Sequence, residues 1–173
     1  MKRHVVLVGL PGSGKTTVGA LVAEKLHAGF VDIDAVLVRR EGKPVTMIFA
    51  EKGEAAFREF ERQEMETALA NPPAIIASGG GWAAQPGAVE GAKSRAFVVY
   101  LRARADTAAK RAAPEGTRPL LMGGEGPVER MRQLLKERDA SYALAHDKIE
   151  RDRKTAVQVA ADVVSLAQTM AGW

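Results

Sequence analysis

His4-Val5-Val6-Leu7-Val8-Gly9-Leu10-Pro11-Gly12-Ser13-Gly14-Lys15-Thr16 is the stretch that decides how this chain folds. Its last eight residues fit G-x-x-x-x-G-K-[ST], the phosphate-binding loop pattern. The apolar run Val5–Val8 ahead of it reads as a buried parallel strand, and Thr17 to His27 behind it reads as a helix. In a strand–glycine loop–helix unit the backbone curls so that successive N–H groups face phosphate oxygens. The helix N-terminus adds partial positive charge. Lys15 is placed to reach the β- and γ-phosphates, and the Thr16 hydroxyl to ligate Mg²⁺. The unit predicts binding of a nucleoside triphosphate, ATP or GTP, with Mg²⁺.

Further strand-like runs lie at Phe30–Ile33, Ala74–Ala77, Phe97–Leu101 and, more weakly, Asp147–Glu150. Helical patterns fall between them. Ala35–Glu41 is stopped by Gly42 and Pro44, Thr46–Lys52 by Gly53, and Glu54–Ala70 by Asn71-Pro72-Pro73. Pro127 to about Ala145 and Thr155–Met170 complete the series. The alternation predicts an α/β fold, three-layer α/β/α, with a five-stranded parallel sheet. At 173 residues the chain is expected to form one domain, 1–173. Pro114–Gly126 breaks the pattern. It is rich in Gly and Pro, carries Arg118-Pro119-Leu120-Leu121, and predicts a mobile lid over about 113–126.

Composition narrows the function classes. No apolar run approaches a membrane span, and the apolar stretch after Met1-Lys2-Arg3-His4 is too short for a signal peptide. Cysteine is absent, so there is no disulfide framework and no thiolate zinc site. A cytoplasmic protein is expected, with no membrane partner. The net charge is +4 and the sequence pI about 9.5. Basic and acidic residues are interspersed and aromatics are few, which speaks against nucleic-acid binding and for a pocket built for anions.

Several residues carry possible chemistry, each beside a plainer reading. Asp32 and Asp34 end the second strand, where alternation turns both the same way; alone, such a pair is more often a turn or helix cap. A metal-organising acid is expected after the strand beside the loop strand. The obvious candidate, Ala74–Ala77, is followed by Ser78, which leaves Asp32 as the best acid for the metal shell. Arg58 shares a helical face with Glu54 and Glu61, which either orient its guanidinium or form solvated pairs. Arg138 and Tyr142, one turn apart, are equally open. Gly79–Gly81 offers bare backbone to a ligand, or is a flexible turn. Gly19 inside the first helix suggests close packing. His4, His27 and His146 have no metal-like spacing.

Taken in order, these elements resemble the shikimate kinases. The match comprises Gly9–Thr16, Asp32-Ile33-Asp34, Gly53-Glu54 with Phe57-Arg58 and Glu61, Gly79–Gly81, Arg118-Pro119-Leu120-Leu121, and Arg138 with Tyr142. The loop belongs to a large superfamily; the Gly-Glu-x-x-Phe-Arg-x-x-Glu element, the triple glycine and the Arg-Pro-Leu-Leu segment are more specific. The resemblance implies a fold of the P-loop kinase type and a reaction in which ATP phosphorylates the 3-hydroxyl of shikimate. Asp34 is then a substrate-holding and catalytic residue, beside Lys15 and Arg118. Arg58 and Arg138 form a carboxylate clamp, with Gly79, Gly80 and Gly81 at the substrate and helices over about 34–70 forming its site. Gly12, Ser13, Gly14, Lys15, Thr16, Thr17, Arg111, Arg118 and Arg153 are implied on the nucleotide side, Arg111 and Arg153 near adenine. Thr16 and Asp32 are implied at Mg²⁺, and the enzyme is expected to be a monomer. Trp82, after the triple glycine, is bulkier than the family pattern and either narrows the site or caps the core. A gluconate kinase or nucleoside monophosphate kinase shares the loop and lid logic but is not expected to combine Asp34, Arg58, Gly79–Gly81 and Arg138. A nucleotide-binding regulator without catalysis is opposed by the intact Lys15, Thr16, Asp32, Asp34 and Arg118.

Overall fold

The computed structural model describes residues 1–112 and 126–173. Its centre is β1 (His4–Val8), buried at every position. β1 lies between β3 (Ile75–Ala77) and β4 (Ala96–Arg102), and the five parallel strands run β2-β3-β1-β4-β5, with β2 at Phe30–Asp32 and β5 at Asp147–Glu150. Val5 pairs with Ile75, and Val6 with Val98. Because strand side chains alternate, Val5 and Leu7 enter one core while Val6 and Val8 enter the other. The first core is covered by α1 (Lys15–Leu26) and α8 (Ala156–Met170) through Val18, Val22, Val159 and Val163. The second is covered by α2 (Ile33–Glu41), α3 (Val45–Lys52), α4 (Glu54–Ala70), α5 (Ala88–Ala92), α6 (Ala105–Ala112) and α7 (Pro127–Tyr142). This is the three-layer architecture that the alternation predicts.

Differences from the sequence expectation have local causes. Ile33 begins α2 instead of ending β2, because the Asp32 side chain accepts from Ala35 N at 3.2 Å and caps the helix. α1 begins at Lys15, since Gly14 stands in the left-handed region at φ 92° and hands the chain directly into the helix. Thr155 lies just outside α8 and closes a capping box with Gln158. α5 and α6, and a 3₁₀ turn at Trp82–Ala84, are elements the sequence pattern does not announce, being 5, 8 and 3 residues long. In α6 the buried face is Ala105, Ala108, Ala109 and Ala112.

Gly19 is explained by packing: a Cβ there would lie 2.6 Å from Phe30 Cε2. Trp82 is 4% exposed and belongs to the second core, so it caps that core. His4 bridges Ala74 N and Asn71 O, His27 ends α1 in the left-handed region, and His146 accepts from Val98 N. All three histidines are structural. Among the described residues no helix is long and apolar enough to cross a membrane. The expected lid, with Arg118-Pro119-Leu120-Leu121, lies outside the described residues apart from Gly126, which precedes α7.

Candidate active site

The phosphate loop leaves the carboxyl end of β1, where ligands of open parallel sheets bind. Gly12 adopts φ 80°, and a Cβ on it would lie 2.2 Å from Ala108 O. The bare Gly12 is therefore what lets the loop seat against the backbone of α6, which carries Arg111 in its last turn. Lys15 folds back and donates to Gly9 O at 2.8 Å and Leu10 O at 2.9 Å. It is 8% exposed, so its ammonium is held close over the loop instead of sweeping through solvent.

The Thr16 hydroxyl donates to Asp32 Oδ2 at 2.6 Å. The cap reading of Asp32 holds, because Oδ1 caps α2, while Oδ2 meets Thr16. A hydroxyl and a carboxylate oxygen this close suit Mg²⁺, which takes one or two protein oxygens and fills its octahedron with phosphate and water. Ser78, on the strand beside β1, donates its hydroxyl to Leu7 O at 2.8 Å and so serves the sheet. A recess of about 40 Å³ is lined by Gly14, Lys15, Thr16, Asp32, Asp34 and Ser78. A larger cleft of about 580 Å³ extends from Thr16 and Asp34 towards Val38, Lys43 and Val45. Thr16, Thr17, Asp32 and Asp34 line both.

Behind Asp34 lies a group of buried charges. Arg58 Nη1 donates to Glu61 Oε1 at 3.2 Å, and its Nη2 lies 3.6 Å from the exposed Glu54. The Arg58 guanidinium also sits 5.7 Å from the Phe49 ring centre and 5.5 Å from that of Phe57. Arg138 is 7% exposed and Glu61 is 1% exposed. The Tyr142 hydroxyl donates to Gly80 O at 2.6 Å and fixes the glycine run against α7. Close approach explains the glycines. A Cβ on Gly79 would lie 2.0 Å from Glu61 Oε2 and 3.2 Å from Asp34 Oδ1. One on Gly81 would lie 2.4 Å from Arg58 Cζ, and one on Gly80 3.1 Å from Pro11 Cδ. Of the two acids expected to orient Arg58, the buried Glu61 is the firmer.

Burial pushes the Glu61 carboxyl up to about 7, assisted by the charge of Asp34 and opposed by Arg58 and Arg138. Burial thus weakens the Glu61 carboxylate as a counter-ion to Arg58 and Arg138, two guanidinium groups of the kind that suit a small carboxylate. The stability consequence has a definite sign. As pH rises from 4.5, the unfolded chain gives up this proton first, so the Glu61 contribution is full below 4.5 and lost by about 7. Glu61→Gln should gain on wild type by up to about 3 kcal/mol across that window. Denaturant titrations at several pH values measure it; a pH-independent difference would contradict the burial argument.

Asp32, Asp34, Arg58, Gly79–Gly81, Arg138 and the loop are thus gathered at one end of the sheet. Arg153 is exposed at φ 65° in the turn after β5, while its neighbour Arg151 reaches the loop from beneath. The expectation placed on Arg118 lies outside the described residues. Glu61 and Tyr142 emerge as parts of the site; helical spacing to Arg58 and Arg138 was their signal.

The sequence model of the shikimate kinase family matches residues 11–168. A shikimate kinase of Sulfurihydrogenibium sp. (strain YO3AOP1) is 37% identical over 163 residues, covering 94% of this chain and 96% of the relative. The solved structure of shikimate kinase from Acinetobacter baumannii in complex with shikimate superposes with TM-score 0.91 at 34% identity, covering 98% of this chain and 94% of that one. A gluconokinase from Sinorhizobium meliloti 1021 covers 99% of this chain and 94% of its own, but at 17% identity and TM-score 0.55 it shares the fold alone.

Proposed function

Because this chain belongs to the shikimate kinase family, which are ATP-dependent kinases, we propose that its described site transfers the γ-phosphoryl group of MgATP to the 3-hydroxyl of shikimate. The supporting observation is the Arg58–Glu61–Arg138 cluster, with Glu61 and Arg138 buried, Glu61 against Gly79 beside Asp34 and Arg58 against Gly81, while Asp34 lines a recess with the phosphate loop. Arg58 and Arg138 take the substrate carboxylate. Asp34 holds the reacting hydroxyl and receives its proton as the oxygen bonds to the γ-phosphorus. The bond from that phosphorus to the β,γ-bridging oxygen breaks, and ADP leaves with the bond's electron pair.

Gly12, Ser13, Gly14 and Thr17 supply loop contacts to the phosphates, with Lys15 neutralising charge on the moving group. Thr16 and Asp32 would hold Mg²⁺, which would supply neutralisation of the phosphate charge. Arg111 lies on the adenine side together with Arg153, and Arg118 serves the γ-phosphate by family pattern. The chain works as one domain over 1–173, with substrate-binding helices over about 34–70 and a lid over about 113–126. It acts as a cytoplasmic monomer on small molecules, without nucleic acid or membrane.

The deciding assay is ADP release from MgATP. It should depend on shikimate and fail with gluconate or AMP in its place. Folded protein that binds ATP tightly yet shows no shikimate-dependent turnover would refute the assignment. Gly81→Ala tests the clamp separately. The clashing atoms are the far end of Arg58, which can swing away, so the fold should survive. The shikimate KM should rise about tenfold or more, the worth of a displaced charge-assisted hydrogen bond, while the ATP KM stays put. Equal losses for both substrates would count against the clamp.

A further inference from the structure

Arg151 follows β5 and heads the largest fully buried side chains among the described residues. Nη1 donates to Ser13 O at 3.1 Å, and Nη2 donates to Lys154 O at 3.0 Å. Nε has no acceptor. Among the described residues, then, this guanidinium meets backbone carbonyls and no carboxylate. Asp152 beside it spends Oδ2 on Arg104 N at 2.8 Å. Burial and the nearby charge of Arg111 both work against the Arg151 cation, with Asp152 in partial support. A buried charge without a counter-ion is costly. Replacement by an apolar residue would remove that cost, so the question is what offsets it.

The peptide that Arg151 grips gives the answer. Ser13–Gly14 is trans, so its carbonyl and the Gly14 N–H point in opposite directions. A cation on the Ser13 carbonyl fixes that peptide plane and polarises it, strengthening the N–H on the far side. The grip also requires Gly14, where a Cβ would lie 2.5 Å from Arg151 Nη1. We infer that Arg151 is a positioning residue for the nucleotide: it aims the Gly14 N–H at the phosphate chain from behind the loop, and its charge is offset once the polyphosphate binds. The inference rests on the nucleotide reading of the loop and adds a residue that lies outside the loop pattern.

Calorimetric titration of MgADP and, separately, shikimate into wild type, Arg151→Met and Arg151→Lys tests it. Arg151→Met should bind MgADP about ten- to a hundredfold more weakly, the range for lost charge-assisted hydrogen bonds, with shikimate affinity unchanged. Arg151→Lys keeps the charge but loses the fork, and should fall between wild type and Arg151→Met. Where Arg151→Met does not fold, Arg151→Lys weaker than wild type for MgADP alone carries the test. A purely structural role would lower melting temperature but leave MgADP affinity of the folded protein at the wild-type value. That result, or equal weakening for shikimate, overturns the inference. If wild type itself fails to bind MgADP, the nucleotide reading of the loop falls instead.

Discussion

Lys15→Ala is expected to lower kcat/KM by about three orders of magnitude, the scale for removing one preorganised charge donor from a transition state. The Lys15 ammonium is held over the loop by the Gly9 and Leu10 carbonyls. On binding, it exchanges part of that carbonyl contact for phosphate oxygen without crossing solvent. The loss should therefore fall mostly on the chemical step. Single-turnover phosphoryl transfer at saturating MgATP and shikimate is the measurement. A variant that keeps more than about a tenth of the wild-type rate would show that other groups neutralise the moving phosphoryl group. Thermal unfolding serves as the control, because the two loop carbonyls lose a donor and the melting temperature should drop modestly.

Asp34→Asn should cost about a hundredfold to ten-thousandfold in kcat, the range for general-base catalysis. It leaves the side-chain shape intact and removes the charge. If Asp34 only orients the hydroxyl, Asn keeps a hydrogen-bond acceptor and the loss should stay near the bottom of that range. If it takes the proton, the loss should sit near the top. The same substitution has a second readout. Asp34 is one of the charges that raise the Glu61 carboxyl, so Asp34→Asn should shift the Glu61 titration downward. No change in kcat would remove Asp34 from the mechanism.

Much of this site is legible in the chain because the loop is a local pattern whose work is done by backbone. The strands are legible for the same reason: fully buried parallel strands are short apolar runs, and β1, β3 and β4 are that. The Arg58–Glu61 pairing is visible as helical spacing, but its burial is not. That depends on Gly79 lacking a side chain at a point where Glu61 arrives from a separate helix. Arg151 is hidden for a different reason. In Glu150-Arg151-Asp152-Arg153-Lys154 it sits in a run of charges that reads as solvated surface. Yet Ile149 and Arg151 are buried while Lys148 and Glu150 are exposed, so the strand alternation continues one step beyond β5. α6 is hidden because it is eight residues long and alanine is its only apolar residue type, although the loop packs Gly12 against its backbone.

The division of helices between the two faces of the sheet reaches beyond catalysis. α1 and α8, behind the loop, share one core; α2, α3 and α4, carrying Asp34, Arg58 and Glu61, pack into the other. Those three residues come from one uninterrupted stretch of chain between β2 and β3. Arg40 ties α2 to α4 through Glu64 at 3.0 Å and stacks on Phe60. Asp34 and Arg58 thus travel together on one segment while Arg138 joins them from α7, so a change of acceptor by drift or grafting has to revise both stretches of chain.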